Sequence, residues 1–270
     1  MTVVVARPVA QDRALWKQVA FPSEHGGWGL TLEPVLLGLL VAPSWAGAAL
    51  GVAAFAAFLV RTPLKLAIGD RRRGQWQHRS RLAARIAGGQ LLVLAACAAV
   101  GVRAAPDLRW VLPVAGAVPF VAVELWFDVR SRGRRLVPEL CGAAGIAAVA
   151  AAIVLAGGGA GELAVGAWLV LAARSVGAIP FVRVQIRRMR HGVGSRGHSD
   201  GAQAVALAIG AVAVVLDRRL AVGAGWLAVL AVVQIVWVRR EPTPPKVLGI
   251  RQMALGIGLV LATSTGVWML

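Results

Sequence analysis

Charge is scarce in this sequence. Asp, Glu, Lys and Arg make up 15% of its 270 residues, where soluble globular chains carry roughly 25%. A soluble protein of one or two domains, which the length alone would allow, is thereby set aside. Cysteine is nearly absent. Cys97 and Cys141 both lie in apolar stretches without metal-ligand spacing, and they read as small buried residues rather than a disulfide framework. None of the histidines forms an HExxH pair; His78, His191 and His198 read as solvated loop residues. No GxSxG, P-loop or GxGxxG stands in a suitable context, so the commonest hydrolase and nucleotide-binding signatures are missing. The N-terminal MTVVVARPVAQDRALWKQVA has neither a long apolar core nor a cleavage site, which argues against a secretory signal.

What the chain has instead is long apolar runs. It is 58% hydrophobic, with a mean hydropathy of +0.72. A helix needs roughly 17–25 mostly apolar residues to cross a bilayer, and by that criterion the chain contains about nine spans. Their approximate limits are 27–43, 45–69, 82–104, 109–128, 136–157, 161–186, 202–217, 219–239 and 247–269. Stretches such as AAGIAAVAAAIVLAGGG supply the small residues that let transmembrane helices pack closely. The expected fold is an all-α membrane protein, a polytopic bundle of about nine helices. Residues 1–20 form a cytoplasmic tail or interfacial helix, and 21–270 a single transmembrane domain.

A formal net charge of +17 would suggest nucleic acid in a soluble chain. Here the basic residues sit in loops between apolar blocks, so anionic lipid headgroups are the expected partners and nucleic acid is not. With the N-terminus inside, 24 Lys and Arg fall on the cytoplasmic side. Only Arg103, Arg109, Arg218 and Arg219 fall opposite, while Arg174 lies within a span. That asymmetry predicts an N-in, C-out orientation.

Charges inside the spans mark the candidate site, because a bilayer-buried ionisable group is expensive and usually functional. His25, Gly29 and Glu33 follow one another at four-residue spacing and share one helix face, with Pro34 loosening the helix beyond. Glu33 either lines a ligand site or pairs with an Arg from a neighbouring span; Glu24 reads as a helix cap. Arg61 and Lys65 share a face of the second span, before Asp70 at its end. Lys65 can snorkel to the interface, but Arg61 lies deeper. Arg174 sits deep in the sixth span, with Arg183 and Arg187 on a common face nearer its end, and Arg forks suit phosphate or carboxylate groups. Glu124, Asp128 and Glu139 supply negative charge nearby. The two accounts of this set are a network of internal ion pairs and an anion site facing the cytoplasm.

The N-terminal PSEHGGW followed by P-x-x-x-G, with RTPL, RSRGRRLVPEL and FVRVQIR further on, resembles the YwiC-like family of bacterial integral membrane proteins. That resemblance implies a multi-pass protein of the bacterial inner membrane and carries no reaction with it. A more distant similarity is to the UbiA-like intramembrane prenyltransferases. They too have nine helices, with polar motifs at the cytoplasmic ends of the second and sixth. It implies an anionic or isoprenoid lipid as ligand. Their Asn-Asp-x-x-Asp-x-x-x-Asp motif holds diphosphate through magnesium; over Thr62–Asp70 this chain reads TPLKLAIGD, and only Asp70 matches. The sixth span has Arg where the second Asp cluster would stand. Magnesium is therefore not supported as a cofactor, while an Arg/Lys cradle for an acidic lipid is. The other classes in play are a carrier of a small anion or proton-coupled substrate, and a non-catalytic scaffold.

Overall fold

The computed structural model describes residues 16, 18–21, 25–130, 133 and 135–270, with only the backbone of 25, 26 and 129. The expected tail or interfacial helix over 1–20 therefore lies mostly outside the described residues; 16 and 18–20 are helical. The long helices are α1 (His25–Val41), α2 (Trp45–Arg72), α3 (His78–Ala104), α4 (Val111–Val129), α5 (Leu136–Ala156), α6 (Gly161–His191), α7 (Arg196–Leu216), α8 (Ala221–Trp237) and α9 (Pro245–Met269). Each coincides with one expected span. A 3₁₀ turn, Arg218–Leu220, joins α7 to α8.

Eight of these helices are long and apolar enough to cross a membrane. The first is shorter: its apolar part is Gly27–Val41. At about 1.5 Å per residue such a helix falls short of the roughly 30 Å hydrocarbon core. It has almost no amphipathic bias because it is enclosed, packing against α5 and α9 and, less extensively, α2 and α6. The sixth and seventh helices run beyond their expected limits, to His191 and from Arg196, because charged residues extend both past the apolar blocks.

Small residues set the centre. In α5, Ala150 to Ala156 are all buried, as expected for a helix covered on every side. A Cβ on Gly38 or Gly47 would run into Ile153 of α5, so these two glycines are what allow α1 and α2 to approach that helix. Between α1 and α2 the hydroxyl of Ser44 accepts from Gly47 N at 2.9 Å and caps the second helix. Indole N–H groups tie other helices: Trp168 donates to Ala144 O (2.8 Å), Trp226 to Leu255 O (3.2 Å) and Trp268 to Leu40 O (2.7 Å).

The periphery differs from the centre. The third helix packs chiefly on α2, and α4 chiefly on α5. Leu92, Val102, Leu112 and Val118 leave apolar side chains outward, a surface suited to lipid. Both α2 and α4 flank α5, and between them side chains make the connection.

Candidate functional site

Glu33 and Arg174 meet in the protein centre, between α1, α6 and α9. Glu33 Oε2 lies 3.1 Å from Arg174 Nε, and both side chains are almost wholly buried. Arg174 Nη2 donates to the main-chain oxygen of Gln252 at 2.6 Å. The pair fits only because α9 carries glycine at 256: a Cβ there would overlap the Glu33 carboxylate and lie 3.0 Å from Arg174 Nε. Of the two accounts of Glu33, the structure supplies the Arg partner. The side chain of His25 lies outside the described residues; its backbone opens α1, one turn before Gly29 and two before Glu33.

A second group spans the gap between α2 and α4. Arg61 reaches across with Nη1 2.5 Å from Glu124 Oε1 and Nη2 2.7 Å from Asp128 Oδ2. Lys65, one turn further along α2, lies 3.4 Å from the same Asp128 oxygen. The cations are on the open side: the Arg61 and Lys65 side chains are 42% and 66% exposed, against 21% and 18% for Glu124 and Asp128. On another face of α4, Arg130 stacks on Trp126, its guanidinium carbon 3.5 Å from the ring centroid. Two cations, Arg61 and Lys65, therefore face two carboxylates at this mouth.

A third pair stands one helix away. Arg183 Nη1 of α6 is 2.7 Å from Glu139 Oε2 of α5. A Cβ on Gly142 would meet the Glu124 carboxyl at 2.7 Å. Because residues three apart share a helix face, Glu139 lies on the side of α5 that Glu124 approaches.

Asp70 stands apart from all of these. It accepts from the Ser80 hydroxyl at 2.6 Å and from Arg79 at 3.4 Å, and so ties the α2–α3 turn. Arg187 is exposed on α6. Among the described residues no three His, Cys, Asp or Glu side chains converge as a metal site requires. With Asp70 engaged by Ser80 and Arg79, these residues do not fit a magnesium–diphosphate cage.

Sequence reading passed over the intramembrane amides. Gln203 of α7 donates to Gly177 O and to Gln234 Oε1 of α8, both at 2.9 Å, and Gln185 of α6 donates to Trp237 O at 2.9 Å. All three, with Gln252, are buried. A lone Gln in an apolar run such as AVVQIVW or IRQMALG was the available signal.

Compared with known proteins, the chain matches the family model described as YwiC-like protein over residues 21–154. No curated protein and no solved structure matches it. The matched segment contains α1 to α4 and nearly all of α5, hence Glu33, both sides of the α2–α4 mouth, and Glu139.

Proposed function

We propose that this YwiC-like protein works in the bacterial cytoplasmic membrane, where it binds the phosphate-bearing headgroup of an anionic lipid, a phospholipid or an isoprenoid phosphate. The site is the cytoplasmic mouth between α2 and α4, and the arrangement is that of a UbiA-like protein working without the metal cage. The observation that carries the reading is the asymmetry of exposure at this mouth. Arg61 and Lys65 face outward, and the carboxylates that hold them lie behind.

The chemistry follows from that arrangement. Half-exposed ion pairs contribute only about 0–1 kcal/mol, so exchanging one carboxylate oxygen for a phosphate oxygen is nearly neutral. Lys65 shares Asp128 with Arg61 and is the more exposed of the two, so it offers the first charge to an arriving headgroup. Arg61 presents a fork, which suits two phosphate oxygens at once. The acyl or isoprenoid chain would lie along the apolar flank of α4. The Glu139–Arg183 pair on the far side of Glu124 gives a longer headgroup, such as a diphosphate, a second cation to reach.

The test is retention of endogenous lipid. Native mass spectrometry of the purified protein should find a phosphate-bearing lipid, and Arg61→Gln with Lys65→Gln should remove most of it while the melting temperature stays near wild type. Equal occupancy by the same lipid in the double variant would defeat the proposal.

A further inference from the structure

Native proteins rarely leave buried polar groups without partners, and inside a bilayer each such group costs several kcal/mol. Three groups here have no hydrogen-bond partner among the described residues, and they lie on helices that face one another: Gln185 Oε1 on α6, Ser199 Oγ on α7, and both amide atoms of Gln252 on α9. Each of these side chains is nine-tenths buried or more. Gln90 Oε1 and Trp110 Nε1 are also unpartnered, but belong to other parts of the fold.

Their heights form a sequence along the bundle. Gln252 stands one turn from Gly256 on the same face of α9, so its amide points into the interface that holds Glu33 and Arg174. Ser199 stands one turn from Gln203, which contacts Gly177, and the antiparallel α6–α7 hairpin therefore sets Ser199 level with Phe181. Gln185 is one turn nearer the cytoplasm than Phe181. At that end Arg188 donates to the main-chain oxygens of Val238 and Arg240, closing α8. From the Gln185 level toward that of Gln252 runs a small apolar cluster of Phe181, Val184, Val238 and Leu248. It is separate from the main core around α5.

We propose that water occupies a passage between α6, α7, α8 and α9, running from their cytoplasmic ends to the Glu33–Arg174 pair, and that Phe181, Val184, Val238 and Leu248 form its constriction. Water is the ligand this chemistry selects. It supplies a donor and an acceptor to the Gln252 amide, and partners to Ser199 Oγ and Gln185 Oε1. The passage is distinct from the α2–α4 mouth and does not depend on it. It would make the central ion pair, enclosed by protein on every side, reachable from the cytoplasm by water and by protons carried in water.

Radiolytic hydroxyl-radical footprinting of the native chain in lipid nanodiscs tests this, because a radical formed from a bound water labels the side chain beside it. Leu248 and Leu259 lie on the same helix, and both are fully buried. Leu37 is an equally buried control in the main core. Leu248 should be labelled several-fold faster than Leu259 and Leu37, and Val238 several-fold faster than Val154. In a folded Gln252→Leu variant the Leu248 rate should fall toward that of Leu259. Native Leu248 labelled no faster than Leu259 and Leu37 would overturn the passage, as would a folded Gln252→Leu with unchanged Leu248 labelling.

Discussion

Gly256→Ala adds one methyl group at the most crowded point of the central ion pair. The new Cβ would overlap the Glu33 carboxylate and stand 3.0 Å from Arg174 Nε, with both side chains buried. Two responses are open to the protein. If α9 shifts outward to make room, the cost is that of overpacking, about 1–3 kcal/mol. If Glu33 is pushed away from Arg174, a buried pair is broken, at about 3–5 kcal/mol. A loss of about 3 kcal/mol, where the two ranges meet, corresponds to roughly 6–12 °C for a chain of this size. Gly249→Ala is the control: it lies on the same helix, and a Cβ there would have nothing within 4 Å. The chain has 10 tryptophans, so thermal melts in nanodiscs can be followed by intrinsic fluorescence. Gly256→Ala should melt well below wild type and Gly249→Ala at or above it. Equal melting temperatures for Gly256→Ala and wild type would refute the claim that glycine at 256 is what admits the pair.

Two further outcomes are expected. The Asp217 carboxyl is held below the usual carboxylate range by the Arg219 side chain, and it also accepts from Arg219 N at 3.0 Å. A depressed carboxylate stabilises above its unfolded pKa of about 3.9 and loses that contribution as pH falls through the folded value, so the stability gap between wild type and Asp217→Asn should be full near neutrality and vanish in acid. Cysteine labelling in Cys97→Ser/Cys141→Ser cells should place 73–77 and 192–195 on the cytoplasmic side and 105–110 opposite, as the split of loop Lys and Arg requires.

The helices were legible because an apolar block leaves few alternatives: each of the nine expected spans coincides with a helix, eight of them are long and apolar enough to cross, and α1, with its apolar part Gly27–Val41, is not. Their extensions past the apolar blocks were not, since Arg187 to His191 reads as loop by hydropathy although it continues α6. The charged members of the site were equally visible, because an Arg or Glu in an apolar run stands out. Their partners were not: Arg61 of α2 meets carboxylates of α4, Arg183 meets Glu139 of α5, and Arg174 meets Glu33 of α1. Pairing follows from which helices are neighbours, and single-span patterns carry no such information. Glycine 256 gave no signal at all, because its significance lies in what a Cβ would strike on two other helices. The amides at 185, 203, 234 and 252 carry no charge and stood out less than Arg or Glu, although in a bilayer an unpaired amide also demands a partner.

The most direct measurement of the central claim is where a lipid phosphate rests on the protein. A phospholipid analogue carrying a photoreactive group beside its phosphate, reconstituted with the chain and mapped by mass spectrometry, reports the neighbours of that group. Crosslinks should concentrate at the cytoplasmic ends of α2 and α4, around Arg61, Lys65, Glu124 and Asp128, and should fall when Arg61 and Lys65 are both replaced by Gln. Crosslinks spread along the cytoplasmic loops in proportion to their Lys and Arg, unchanged in that variant, would contradict a headgroup site at this mouth.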